Sequence, residues 1–530
     1  MRRAIVSALM GASLLANGTA LLAEGAEGTP QDPAKGDLSA PSENCSRAKL
    51  QQFAPADTTV SVAIRETSGT CRVHGYVTTT NPGPNEVNFV LSLPDKFNGR
   101  YVFLGVGGAA GNIPVIKPSL SAKGYVQAGT DAGTGSGSIA DFSFKSDPAK
   151  HTDFLWRGVQ TSAVATQQIT RGYYKREQIG RYISGCSGGG QMGMSNAIRF
   201  GDENFDGFVS AATVWPGAAF KANVYRIMAH MQNNPDGWLP PELLRRAHAA
   251  IVARYDETDG AKDGIIHDAR NIANFDLGVL REVGFTPAQI ETFRMITSPI
   301  KLSGPGIYGD GLQAGWPVND LAGWIRYLTG TVPPPWKSSR EFSTSALQAM
   351  GTPFYHVMAD TNIRAQQADL DYWKIKDMKR LVALSNLGGT EQSTDTLDVS
   401  RITAGKAKMI IWHGTADEAN NYLDNLRGYE EVLRTSPAAK DWLRIFFVPG
   451  TQHCRGGNGP TDIEDPMIDA IADWVETGKE PESVLAPRAT PEKGVDRVFR
   501  LCPEPRRSVL KAPGLDPNAA ENWECRPPKA

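Results

Sequence analysis

Short apolar runs alternate along the first two fifths of the chain with stretches whose apolar positions recur every three or four residues. Val60-Ser-Val-Ala-Ile64 and Cys71-Arg-Val-His-Gly-Tyr-Val77 alternate and are rich in β-branched residues, which predicts two half-buried strands. Residues 87–93 predict a third. Tyr101-Val-Phe-Leu104 is apolar throughout, the pattern of a strand covered on both faces, and breaks into Gly105-Val-Gly-Gly-Ala-Ala-Gly111. Gly124-Tyr-Val-Gln-Ala-Gly129 predicts another strand, ending at Thr130-Asp131. Residues 161–174 have helical spacing, with Val164, Ile169 and Tyr173 on or near one face. A strand over 182–184, a helix over 191–200 carrying Met192, Met194 and Ile198, and a strand from Phe205 that ends by Val214-Trp-Pro216 follow. Strands alternating with helices in this way are what a parallel sheet requires.

At Gly217 the pattern changes. About 180 residues rich in helix, tryptophan and proline pass before Lys408-Met-Ile-Ile-Trp412 restores a buried-strand signal. Residues 217–395 therefore read as one insertion, a lid between two segments of a core, 45–216 and 396–530. A helix over 422–432, a last strong strand over 443–448 and a closing helix over 463–477 complete the core. A chain of 530 residues is long for one domain, so a core with a large insertion is the expected plan.

Net charge is −2, which points away from nucleic acid and from anionic membrane surfaces. Residues 1–23 read as a secretory signal, with Arg2 and Arg3 before an apolar run and cleavage near Ala20, Ala23 or Ala26. Residues 24–44 read as a flexible leader. Export implies an oxidising compartment, and six cysteines suit three disulfides. Six cysteines allow fifteen pairings. Proximity suggests Cys45 with Cys71 and Cys502 with Cys525, leaving Cys186 and Cys454, far apart in the chain. The expected protein is secreted or periplasmic, with no membrane attachment once the signal is gone.

Candidate chemistry centres on Gly185-Cys186-Ser187-Gly188-Gly189, which fits the G-x-S-x-G nucleophile elbow and has the strand before it and the helix after it that the motif needs. The glycine-rich loop after Leu104 stands where an α/β-hydrolase holds an oxyanion-hole N–H; no Lys-Ser/Thr follows, so it is not a phosphate-binding loop. Asp417 lies in the loop after the 408–412 strand, and His453 on a glycine-rich loop after the 443–448 strand. Serine, acid, histidine is the chain order of α/β-hydrolases. Ser187 needs a neighbouring base to become a nucleophile, His453 would serve as that base, and Asp417 would orient it. The N–H of Gly188 with one from the loop at Gly108 would bind the oxyanion, each such donor contributing about 3 kcal/mol to lowering the barrier. Cysteines adjoin both the serine and the histidine; if Ser187 and His453 meet, Cys186 and Cys454 are near enough to bridge.

Within the insertion, Asp256, Asp259 and Asp263 fall in eight residues with Gly260 and Gly264 between or beside them. Hard oxygen donors suit Ca²⁺, although the spacing is not that of an EF-hand and, taken alone, reads more simply as a solvated acidic turn. His413 reads as a packing or hydrogen-bonding residue. The remaining histidines, at 74, 151, 230, 248, 267 and 356, show no metal-ligand spacing, and no C-x₂-C pattern supports zinc.

On Gly-Cys186-Ser187-Gly-Gly, His453-Cys454, Asn204-Phe-Asp-Gly207, Trp412-His-Gly-Thr-Ala-Asp417, and the stretch from Leu501-Cys-Pro503 through Asp516-Pro-Asn518 to Cys525, the chain resembles the tannase and feruloyl esterase family. The resemblance covers most of the mature chain. It implies an α/β-hydrolase core with a large lid, a Ser187–Asp417–His453 triad and a Cys186–Cys454 disulfide. It further implies a structural Ca²⁺ in the lid, held by the side chains of Asp256, Asp259 and Asp263 and the carbonyls of Ala261 and Ile265. The implied substrates are small esters of aromatic acids, of feruloyl, galloyl, chlorogenate or mono(2-hydroxyethyl) terephthalate type. Arg364 is a candidate partner for a substrate carboxylate, and Trp215, Trp324, Trp336 and Trp373 are candidates to flank an aryl ring. Three features depart from the family pattern: Tyr255 where cysteine often precedes the first aspartate, Gln191-Met192 after the elbow, and Glu-Ala-Asn-Asn after Asp417.

Overall fold

The computed structural model describes residues 38–39, 42–137, 143–336 except 214, 216, 273, 305, 306 and 308, then 377–379, 382 and 398–528. Nine strands make one sheet: β1 (Thr58–Arg65), β2 (Thr70–Thr79), β3 (Asn85–Pro94), β4 (Arg100–Leu104), β5 (Val126–Thr130), β6 (Gly180–Cys186), β7 (Gly207–Ala211), β8 (Lys408–Gly414) and β9 (Leu443–Val448). Their spatial order is β9-β8-β7-β6-β4-β5-β3-β2-β1. From β9 to β5 every neighbouring pair is parallel. From β5 to β1 every pair is antiparallel. The apolar runs explain the division. Tyr101 to Leu104 and residues 126–130 are buried throughout, as strands covered on both faces must be, whereas β1 at the sheet edge leaves Val62 and Ile64 exposed.

Helices α1 (Gly158–Tyr174), α2 (Gly188–Phe200) and α7 (Glu464–Thr477), with α6 (Tyr422–Thr435), cover the faces. In α1, Ile169 and Tyr173 are fully buried but Val164 is exposed, contrary to the predicted shared face. Val164 stands five positions before Ile169, about 140° around a helix, so Ala165 and Thr166, four and three positions before it, share the Ile169 face instead. β7 ends at Ala211, before the expected 214–216, because Ala212 takes a positive φ of 42° that no strand accommodates.

The insertion contributes α3 (Gly217–Asn233), α4 (Pro241–Tyr255) and α5 (Pro287–Thr297). It carries an apolar cluster of its own, drawn entirely from residues 219–336 and Val382 and including Trp316, Trp324 and Trp336. After α7, two hairpins follow, β10 (Val484–Thr490) with β11 (Gly494–Leu501) and β12 (Arg507–Leu510) with β13 (Trp523–Arg526). The disulfide Cys502–Cys525 joins them, and Cys45–Cys71 ties the N-terminal segment to β2. The expected signal and most of the expected leader lie outside the described residues. Among those described, no helix is long and apolar enough to cross a membrane.

Candidate active site

Ser187 stands between β6 and α2 with φ 60° and ψ −122°, a conformation L side chains rarely adopt. Backbone-to-backbone packing of glycines makes it possible. A Cβ on Gly185 would lie 2.7 Å from the carbonyl carbon of Gly189, and one on Gly189 would lie 2.6 Å from that of Gly105. The Ser187 N–H donates to the Ala211 carbonyl at 2.9 Å, tying the turn to β7. Gly188 begins the helix against the glycine-rich loop; a Cβ there would meet the Gly108 nitrogen at 2.8 Å. The two backbone positions expected to line an oxyanion hole therefore lie side by side, and a Cβ on Gly107 would come within 4.0 Å of the Ser187 Cβ.

Asp417 follows β8 and is 1% exposed. Its Oδ1 accepts the N–H groups of Ala419 at 2.9 Å and Asn420 at 2.8 Å. Its Oδ2 lies 3.0 Å from His413 Nε2 and 2.9 Å from His453 Nδ1. Burial alone would favour the neutral acid, but the charge and hydrogen bond of His453 and the hydrogen bond of His413 prevail, holding the carboxyl well below the usual carboxylate range. His413 Nδ1 pairs with Asn425 Nδ2 at 2.7 Å, so its other nitrogen carries the proton it donates to Asp417. The reading of His413 as a hydrogen-bonding residue holds, with the acid itself as its partner.

His453 is 8% exposed, and its loop is shaped by positive φ at Gly450, Gly456, Gly457 and Cys454. Burial opposes protonation of the ring; Asp417, helped by Glu418, outweighs it and raises the imidazole above its ordinary range. With Nδ1 on Asp417, Nε2 is the ring nitrogen that does not face the acid. The acid and base loops are stitched together by Ala416 N–H to the Thr451 carbonyl at 3.1 Å and Gly450 N–H to Thr415 Oγ1 at 3.3 Å. The disulfide Cys186–Cys454, with a Cα–Cα distance of 5.8 Å, links the elbow to the residue after His453. Among the described residues no hydrogen bond joins Ser187 to His453; in free enzymes such bonds often close only around substrate.

The insertion rests on the acid loop. Trp316 Nε1 donates to the Glu418 carbonyl at 3.2 Å, Asn319 Nδ2 to the Thr415 carbonyl at 2.8 Å, and Asn421 Nδ2 to the Gly315 carbonyl at 3.0 Å. The Tyr327 ring meets His453 edge-on, centroids 5.4 Å apart. Trp215, Trp324 and Trp336 are at most 3% exposed and pack in the interior, so none of them flanks an open slot. Arg364, Trp373 and His356 lie outside the described residues. Glu418, Arg326 and Tyr327 carry no sequence signal as neighbours of His453; each comes to it across a long stretch of chain.

In the acidic loop, Asp256 accepts the N–H groups of Gly264 and Ile265, each at 3.0 Å, and Asp259 those of Ala261 at 3.1 Å and His267 at 3.0 Å. Asp263 is paired at 2.7 Å with Arg497 of β11 and at 3.0 Å with His267, whose ring stacks on Trp523. Burial pushes Asp263 up, but those two partners prevail and hold it at about 2. Burial, and the nearby Asp263 charge, instead push Asp259 up. Among the described residues no ion pair compensates Asp256 or Asp259, and the carbonyls of Ala261 and Ile265, both in buried residues, accept no hydrogen bond. No three His, Cys, Asp or Glu side chains among the described residues converge as a metal site by themselves. The donor chemistry nevertheless fits a hard cation: the Asp256 and Asp259 carboxylates keep lone pairs beyond those given to N–H groups, and the Ala261 and Ile265 carbonyls belong to the same loop.

The family model described as tannase and feruloyl esterase matches residues 71–525. A probable feruloyl esterase B-2 of Aspergillus fumigatus is 28% identical over 491 residues, 86% of each chain. A probable feruloyl esterase B-1 of Aspergillus flavus is 27% identical over 521 residues, 90% of this chain and 92% of its own. Among solved structures, feruloyl esterase B from Aspergillus oryzae superposes with a TM-score of 0.73 at 22% identity, covering 91% of this chain and 99% of that one. The tannin acyl hydrolase from Aspergillus niger superposes at 0.70 and 19% identity, covering 92% and 96%. The α/β-hydrolase fold expected from the sequence is the fold of these structures.

Proposed function

Since the chain belongs to the tannase and feruloyl esterase family of carboxylic ester hydrolases, we propose that it cleaves small esters of aromatic carboxylic acids, through an acyl-enzyme on Ser187. The observation that carries the reading is the buried Asp417 carboxylate 2.9 Å from His453 Nδ1, on a loop bridged covalently to the elbow that presents Ser187. His453 Nε2 takes the Ser187 hydroxyl proton as Oγ attacks the ester carbonyl carbon. The developing oxyanion is received by the N–H groups of Gly188 and of the Gly108 loop. Collapse breaks the ester bond, the leaving alcohol takes the proton from His453, and the acid stays on Ser187 as an ester. Water, deprotonated by the same imidazole, then releases the acid. Asp417 fixes the ring and favours its protonated form in both halves.

A calcium ion in the acidic loop would be held by Asp256, Asp259 and Asp263 side chains with the Ala261 and Ile265 carbonyls, and would supply local rigidity. Export to an oxidising compartment is part of the same reading, supported by three disulfides and the basic-then-apolar start of the chain.

The test is hydrolysis of methyl ferulate, methyl gallate, chlorogenate, mono(2-hydroxyethyl) terephthalate and a short p-nitrophenyl ester by wild type and Ser187→Ala. Turnover by wild type alone supports the nucleophile and ranks the acids. Silence of the wild type on every aryl ester would sink the substrate class and turn attention to aliphatic esters, peptides or a binding role.

A further inference from the structure

Glu418, next to Asp417 in the chain, is a buried carboxyl that the ester-cleaving steps do not use. Its residue is 1% exposed. One oxygen, Oε2, accepts the backbone N–H of His453 at 3.1 Å. The other, Oε1, has no hydrogen-bond partner among the described residues and faces Arg326 Nη1 at 3.8 Å. The geometry around it is a junction of three segments. Its own loop carries Asp417; the base loop carries His453 and Arg455; the insertion brings Arg326, Tyr327 and Asp320. Arg326 lies over the Tyr327 ring at 4.8 Å, and that ring meets His453 edge-on. Asp320 accepts from Gln452, the residue before the base, at 2.8 Å, and has His248 of α4 3.6 Å away.

We propose that Glu418 is the positioning residue of the general base: its carboxylate anchors the His453 backbone and sets a second negative charge, besides Asp417, beside the imidazole. The inference rests on His453 being the base of the proposed reaction. Two things argue for it. The His453 N–H is buried in a loop whose next residue, Cys454, has φ 63°, so the loop depends on outside partners for its course, and Glu418 is the acceptor of that N–H. A fully desolvated carboxyl so close to another acid is costly: burial first, then Asp417, pushes Glu418 up to about 7. Such a cost is tolerated at sites where the charge acts on a reacting group. Where it is ionised, above about 7, its negative charge in turn raises His453, while Arg326 opposes that effect.

The experiment compares kcat and KM for methyl ferulate across the range in which histidine titrates, using wild type, Glu418→Gln and Glu418→Ala. Gln keeps an oxygen for the His453 N–H and removes the charge. It should retain plateau kcat within about threefold and move the acid limb of the profile to lower pH. Ala removes the anchor as well and should lower kcat by roughly tenfold with KM nearly unchanged. A Gln profile that overlays wild type would overturn the proposal, as would Ala and Gln with equal plateau kcat. If Ala does not fold, the Gln profile still decides. A wild type active on aryl esters, with Ser187→Ala inactive and Gln unshifted, refutes this inference alone. A wild type inactive on every ester refutes it together with the reading it rests on.

Discussion

Removing the bridge between Cys186 and Cys454 should cost the protein both stability and catalysis, in amounts that separate it from its other disulfides. The bridge spans 268 residues and Cys45–Cys71 spans 26. In the chain-entropy relation the first stabilises by about 5.6 kcal/mol and the second by about 3.5 kcal/mol, both upper figures because a disulfide often delivers less than its loop length suggests. The catalytic effect has a different origin. Ser187 at φ 60° and Cys454 at φ 63° are two strained residues, one in the elbow and one beside the base, that the bridge holds to each other. Nothing comparable adjoins Cys45 or Cys71. Paired Cys186→Ala and Cys454→Ala changes should lower kcat of the folded enzyme about a hundredfold, the scale of a misplacement near 1 Å. Paired Cys45→Ala and Cys71→Ala changes should leave kcat of folded enzyme intact. Urea unfolding followed by circular dichroism gives the stabilities, and kcat is measured well below each midpoint. Equal kcat in the two double mutants would refute the assignment of a positioning role to the bridge.

Chelation by EDTA should lower the melting temperature while leaving hydrolysis measurable below it, and an unchanged melting curve would remove calcium from the acidic loop. His413→Ala should lower kcat several-fold with little change in KM, because Asp417 would lose one of its donors; an unaltered kcat would show that the backbone N–H groups suffice. Activity should fall as pH drops through the raised range of His453, since the base must be neutral, and a profile flat through that range would exclude the imidazole as base. Asp424 is pushed up to about 7 by burial, which outweighs the Ala314 N–H and Arg427. An acid whose folded range is raised takes up protons on folding, so wild-type stability falls as pH rises from the usual aspartate range to about 7. Asp424→Asn should match wild type near pH 4 and melt several degrees higher near pH 8; no gap at pH 8 would contradict this.

Much of the core could be read from the chain because its strands are apolar on both faces or alternate, as Tyr101 to Leu104 and β2 show. The meeting of the Asp417 and His453 loops, and of Cys186 with Cys454, was legible because each of these residues ends or follows a strong strand signal. The start of α2 at Gly188, three residues before the predicted helix, was not: glycines carry no apolar pattern, and packing against Gly105 and Ala211 makes them helical. Glu418 carried no local signal either. Its significance depends on a hydrogen bond to a residue 35 positions away and on an arginine from the insertion.

The pairing of Asp263 with Arg497 bears on the order in which the chain can mature. The partners are 234 residues apart, and Arg497 is made after every strand of the central sheet. Trp523, which stacks on His267, is made later still. A nascent chain that has not yet reached Arg497 therefore lacks the groups that close the acidic loop, just as one that has not reached Cys454 lacks the partner of Cys186. The acidic loop thus closes only once the C-terminal hairpins have been added to a core whose strands are already made.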